Sequence, residues 1–264
     1  MQVIIAGSPG EVASLAADRI ERLLARHKAA VLGLATGSTP IALYQELIAR
    51  YHRNQLSFRE VTTFNLDEYV GLAPEHPQSY RTFMQRQLFD RIDIDPRNTH
   101  IPNGQHCPTE EAAAYETRIR SLGGIDLQVL GLGRNGHIGF NEPCSSLHSR
   151  TRIKTLAEAT VRDNSRFFEP GEFMPKLAIT MGIATILEAR QILLLATGSA
   201  KAEAVRTMVE GPLSASCPAS ALQQHPNTLV IVDSEAGSQL SQCEYHRRVK
   251  IETDRLMDAE RSRP

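Results

Sequence analysis

Short apolar runs alternate along this chain with polar loops and with segments of helical spacing. Residues 2–6, 30–34, 61–64, 125–132, 177–181, 191–196 and 228–232 have the length and apolar content of buried strands. Residues 150–156 alternate basic and apolar positions and predict one more strand. Between them, Val12, Ala16, Ile20, Leu23 and Leu24 recur at helical spacing up to His27, as do Leu43, Leu47 and Ile48. Residues 79–92 and 109–122 read as amphipathic helices, residues 183–189 and 220–225 as short ones, and the tail from Gly237 as a mostly charged helix. Residues 94–104 hold two prolines and read as loop. Pro9-Gly10 is read as the stop after the first strand.

Strand and helix alternating in this way predict an α/β fold: a single-domain, doubly wound, mostly parallel sheet with helices on both faces, of Rossmann-like type, spanning 1–264. In such sheets the loops at the carboxyl ends of the strands face one crevice. Residues 157–175 break the pattern. They have little periodicity and hold Arg166, Phe167 and Phe168 close to Pro170 and Gly171. Two readings stay open there, a mobile lid and a loop packed by its own phenylalanines.

Composition narrows the class. The chain has 264 residues, 41% of them apolar, and a formal net charge of −1, which gives no nucleic-acid or membrane-surface signature. No stretch reaches the roughly 20 apolar residues of a membrane span. The opening MQVIIAGSPG has no basic stretch and too short an apolar run for a secretory signal. Cys107, Cys144, Cys217 and Cys243 are widely spaced, so free thiols and a cytoplasmic location are expected. No metal-ligand spacing is visible.

Four loops carry candidate chemistry. Residues 131–143, GLGRNGHIGFNEP, follow a buried strand and hold His137 and Glu142. Such a pair at a strand's end is suited to acid–base work, or is simply a turn with a solvated His. Residues 35–40, ATGSTP, join a strand to a helix, and Thr36, Gly37, Ser38 and Thr39 offer N–H groups and hydroxyls to an anion. The rival reading is an ordinary helix cap. Asp67 and Glu68 form a carboxylate pair at the end of the third strand, costly to bury without a task, or else an acidic pair that starts a helix. Residues 197–201 repeat the Thr-Gly-Ser pattern with Lys201 in the first helical turn. A cation beside free N–H groups there suits a second anion or reinforces the first; the rival reading is a surface Lys whose stem lies along apolar neighbours.

ATGSTP (35–40), FNLDEYVGL (64–72), GLGRNGHIGFNEP (131–143), SRTRIKT (149–155), NSRFF (164–168) and GSAK (198–201) together resemble the glucosamine-6-phosphate deaminase family, in that family's order and over nearly the whole chain. The resemblance implies conversion of glucosamine 6-phosphate and water to fructose 6-phosphate and ammonia, in amino-sugar catabolism, without a cofactor or metal. It implies Asp67 as the base that moves a proton from carbon 2 to carbon 1, His137 as the group that opens the pyranose ring, and Glu142 as its partner. Asn135 stands where the family often has Asp. Thr36, Gly37, Ser38, Thr39, Arg166 and Lys201 are implied to hold the phosphate, with Arg166 in the lid. Some members are hexamers activated by N-acetylglucosamine 6-phosphate, and Ser145, Arg152 and Lys154 match that effector site. The family's C-terminal effector tyrosine has no clear counterpart in residues 247–264, and shorter members work without the effector. A lactonase of the same fold needs no base serving two carbons, so Asp67 separates the two activities. A sugar-phosphate sensor would add a DNA-binding segment, and none reads from the sequence.

Overall fold

The computed structural model describes residues 1–158, 161–162, 168, 171 and 173–261, with the side chains of the last helix described as far as 253 and at 255. In chain order the elements are β1 (Gln2–Ala6), α1 (Pro9–Arg26), β2 (Val31–Leu34), α2 (Ser38–His52), β3 (Thr62–Asn65), β4 (Asp67–Tyr69), α3 (Tyr80–Gln87), β5 (Thr99–His100), α4 (Pro108–Ser121), β6 (Leu127–Gly131), β7 (Arg152–Thr155), β8 (Leu177–Thr180), α5 (Ile183–Leu187), β9 (Ile192–Ala196), α6 (Ala202–Glu210), β10 (Thr228–Asp233) and α7 (Cys243–Arg261).

Seven strands form one parallel sheet in the order β1-β10-β9-β6-β2-β3-β5. The expected doubly wound sheet is therefore present. Its inner strand β9 is apolar on both sides, with all five residues buried, because helices cover each face. On one face α1 and α2 pack Ala16, Ile20, Leu43 and Leu47 onto Leu32, Leu34, Val129 and Leu195. On the other, α4, α5 and α6 pack Tyr115, Ile119, Ile186, Val205 and Met208 onto Phe64, Leu130 and Leu194. From β2 the chain builds outward through β3 and β5, then returns beside β2 with β6 and builds the other way. The order reverses between β2 and β6, and a ligand crevice belongs at that point.

Three strands leave this sheet. β4, β8 and β7 form a second, antiparallel sheet, with Asp67 opposite Thr180 and Arg152 also opposite Thr180 on the other side. The joint is Leu66. Its N–H donates to Leu34 of the parallel sheet at 3.0 Å, and its carbonyl accepts from Met181, just after β8, at 2.7 Å.

Local differences from the sequence reading have local causes. Pro9 and Gly10 open α1 rather than merely ending β1, because Ser8 caps it and accepts from the Glu11 N–H, and Pro fits the first turn. The helix expected over 79–92 stops at Gln87, where Leu88 leaves helical geometry, and a 3₁₀ turn follows at Phe89–Arg91. The proline-bearing loop at 94–104 contributes β5, which pairs with β3 at the sheet edge. The last helix begins at Cys243, not at Gly237.

Candidate active site

Loops after β2, β3, β6 and β9 converge at the carboxyl ends of the strands. After β2, Gly37 takes φ +107°, a conformation that favours glycine, and turns the chain into α2. No side chain caps this 15-residue helix and no acid stands in its first turn. Among the described residues, its N-terminal N–H groups and positive dipole end thus suit an anion. Ser38 and Thr39 line a cavity of about 170 Å³ with Thr197, between the starts of α1 and α2.

The second Thr-Gly-Ser loop differs. The Gly198 N–H donates to both carboxylate oxygens of Asp233, at 3.1 and 3.0 Å, and the Ser199 N–H donates to Glu235 at 3.2 Å. The N–H groups expected to be free beside Lys201 are occupied by the protein's own acids. The Gly198 and Ser199 N–H groups are thus not open to a second anion.

Asp67 is the first residue of β4, 5% exposed. Strand alternation sends it and Glu68 to opposite faces. Glu68, equally buried, accepts from the N–H groups of Tyr69, Tyr80 and Arg81 at 2.8, 3.0 and 3.0 Å. It thereby fastens the start of α3. Asp67 has no hydrogen bond among the described residues. Burial, and then the neighbouring Glu68 charge, push its carboxyl up to about 8. Burial also raises Glu68, but the three N–H groups oppose that rise.

The loop after β6 folds tightly around its glycines. Gly133 and Gly136 make a turn in which the Gly133 N–H donates to the His137 carbonyl at 2.9 Å. The His137 ring lies over Gly133 so closely that a Cβ there would stand 2.4 Å from the ring, and only glycine fits. His137 Nδ1 faces Glu142 Oε2 at 3.4 Å. Asn135 Nδ2 donates to the same oxygen at 2.7 Å, and Asn135 Oδ1 accepts from the His137 N–H at 3.3 Å. Asn135, His137 and Glu142 therefore form one cluster, its carboxylate buried and its imidazole partly open.

Gly139 joins this cluster to Asp67: a Cβ on it would lie 3.3 Å from Asp67 Oδ2 and 3.0 Å from Thr180 Oγ1. Thr180 Oγ1 also accepts from the Phe140 N–H at 3.1 Å. Tyr80, which the sequence reading did not single out, links Asp67 to the first loop. Its hydroxyl donates to Tyr69 at 3.2 Å and is bonded by the Thr36 side chain, and its ring stacks on Phe140 at 6.0 Å. The visible signal for it was Ser79, a helix cap that sets the first helical residue beside the carboxylates.

Of the expected effector residues, Ser145 is buried with its hydroxyl unpartnered, and Arg152 donates to Asn141 Oδ1 at 2.9 Å. Lys154 follows Arg152 on the same side of β7. Arg166 lies outside the described residues, as does much of the segment read as a lid. Phe168, within that segment, packs edge-on against Tyr69 and stacks on His76.

A buried proton-holding carboxylate, an imidazole–carboxylate pair and an open helix N-terminus are the parts needed to hold an anion and shuttle protons beside it. The family described as glucosamine-6-phosphate isomerases/6-phosphogluconolactonase matches residues 9–231. A glucosamine-6-phosphate deaminase of Hahella chejuensis is 64% identical over 259 residues, covering 98% of this chain and 99% of that one. One from Shewanella loihica is 55% identical, covering 97% and 96%. Among solved structures, a monomeric glucosamine-6-phosphate deaminase superposes with a TM-score of 0.88 at 46% identity, covering 90% of this chain and all of that one. A 6-phosphogluconolactonase from Trypanosoma cruzi superposes at 0.74 with 21% identity, a likeness of fold.

Proposed function

The chain belongs to the family of glucosamine-6-phosphate isomerases and 6-phosphogluconolactonases, and we infer that within it the protein acts as a glucosamine-6-phosphate deaminase. It converts glucosamine 6-phosphate and water to fructose 6-phosphate and ammonia. The observation that carries the reading at the level of residues is Asp67, a buried carboxyl with raised proton affinity set against the His137 loop.

The proposed steps use the groups in turn. The phosphate docks on the N-terminus of α2 through residues 36–39, with Lys201 and Arg166 as its cations. His137, oriented by Glu142 and Asn135, passes a proton between the ring oxygen and the carbon-1 hydroxyl, and the pyranose opens to the aldehyde. Asp67 then takes the proton from carbon 2 and returns it to carbon 1. One proton of the ammonium passes to the carbon-1 oxygen as this happens, so the carbon–nitrogen bond becomes an iminium at carbon 2; water adds there, and ammonia leaves to give the ketose. Asp67 must be ionised to begin. The substrate's own ammonium, on the carbon next to the base, favours that charged form. Substrate binding thus makes the base.

Ser145, Arg152 and Lys154 are proposed to hold the phosphate of N-acetylglucosamine 6-phosphate as an effector; the unpartnered Ser145 hydroxyl beside the loop supports this. A monomeric state is supported by the monomeric relative. Four free thiols support a reducing, cytoplasmic setting. Among the described residues no helix is long and apolar enough to cross a membrane.

The deciding experiment follows ammonia and fructose 6-phosphate from the purified protein and glucosamine 6-phosphate, with and without N-acetylglucosamine 6-phosphate. Equal release of both products is expected. Hydrolysis of 6-phosphogluconolactone with no ammonia release would overturn the reading.

A further inference from the structure

Two parts of the candidate chemistry hang from different frames. His137 and Glu142 ride on the loop after β6 of the parallel sheet, and Asp67 rides on β4 of the antiparallel one. Between them stands Asn141, fully buried, in a turn where Ile138 and Asn141 form a bridge. Both ends of its side chain are used. Nδ2 donates to the Ile138 carbonyl at 2.9 Å and to the Met181 carbonyl at 2.8 Å, and Oδ1 accepts from Arg152 at 2.9 Å. Met181 in turn donates its N–H to the carbonyl of Leu66, the residue before Asp67. One amide therefore ties the ring-opening loop to the residue that hands the chain over to the base. An arginine can only donate, so Arg152 fixes which end of the amide faces it and keeps Nδ2 on the two carbonyls. A network this buried and fully satisfied holds one geometry.

We propose that Asn141 is a positioning residue that sets the His137 loop against the Asp67 strand, with Arg152 locking its amide in the working orientation. The inference rests on the deaminase reading. Arg152, already proposed to hold an effector anion, thereby reaches into the site: an anion drawing its guanidinium away loosens the lock, and one that settles it tightens the lock.

The test compares wild type, Asn141→Asp and Arg152→Met. Asp keeps the acceptor toward Arg152 and turns an oxygen toward two carbonyls. Met removes the donor and keeps an unbranched apolar stem in its place. The measurements are kcat, KM and the isotope effect on kcat with substrate deuterated at carbon 2, on protein with a cooperative thermal transition. In Asn141→Asp, kcat is expected to fall about 100-fold, as for a misplacement near 1 Å, with KM changed a few-fold. The isotope effect is expected to grow, because proton abstraction becomes the slower step. Arg152→Met is expected to move the isotope effect the same way by a smaller factor. A loss of kcat that follows the folded fraction, with the isotope effect unmoved in both variants, overturns the inference. If Asn141→Asp does not fold, the isotope effect of Arg152→Met decides alone. Wild type that releases no ammonia overturns the deaminase reading along with it, whereas active wild type with unmoved isotope effects overturns only the positioning role.

Discussion

Asp67 and Glu68 are adjacent, equally buried carboxyls, and the backbone N–H groups of Tyr69, Tyr80 and Arg81 all go to Glu68. One acid is solvated by the protein and the other is left dry, beside the charge of the first. That division makes Asp67 the proton-loving member of the pair.

Glu68→Gln keeps an acceptor for Tyr69 and Tyr80 and removes the charge that helps raise Asp67. The acid limb of the kcat/KM profile, which includes the free enzyme's base, is therefore expected to move to lower pH than in wild type. A pH–rate series on both proteins reads this directly. A limb that stays in place means that burial alone sets Asp67.

Asp67→Asn is expected to lose about 10²–10⁴-fold in kcat, the range for a general base, while still binding substrate. It is also expected to be more stable. Asp67 holds its proton more tightly folded than unfolded, so its contribution to stability falls as pH rises from about 4, its unfolded value, through about 8. The Tm gap between variant and wild type should widen across that window. A gap that is constant with pH would show that Asp67 is not the buried titrating group.

Asn135→Asp places a second carboxylate within hydrogen-bond range of Glu142, where Asn now donates at 2.7 Å. Two carboxylates so close share one proton to higher pH than either alone. Turnover is expected to persist at alkaline pH and to fall off earlier on acidification, measured as the pH at half-maximal kcat. An unshifted acid side would place Glu142 outside the rate-determining proton chemistry.

Lys201→Ala is expected to raise KM more than it lowers kcat, because the phosphate is a handle away from the reacting carbons. Asp233→Asn should echo this more weakly, since Asp233 holds the Gly198 N–H that shapes the same loop. A pure kcat effect in Lys201→Ala would place Lys201 at the chemistry instead.

The parallel sheet was legible because β9 and β10 are apolar enough to be buried wherever they occur in a sequence. The loop after β6 stood out because Gly, His and Glu follow a buried strand there; residue types alone left a plain turn open, and the structure brings His137, Asn135 and Glu142 together. β4 was not legible. It is three residues, two of them acids, and it is a strand only because β8, more than 100 residues later, pairs with it. Asn141 was hidden for a similar reason: its partners are carbonyls, which every residue has, and one of them lies 40 residues away. The Gly198 loop misled because its sequence repeats that of the first loop. The difference lies in Asp233 and Glu235, which arrive from the next strand to occupy its N–H groups.

Leu66 gives its N–H to one sheet and its carbonyl to the other. The loops proposed to hold the phosphate belong to the first, and the proposed base to the second. A lineage can therefore keep the docking frame and exchange the small sheet beyond this hinge, altering what is done to a sugar phosphate without relearning how to hold one. The hinge marks only one end of such an exchange: the short strands at 67–69, 152–155 and 177–180 come from separate stretches and would be replaced together, beside the proposed anion site.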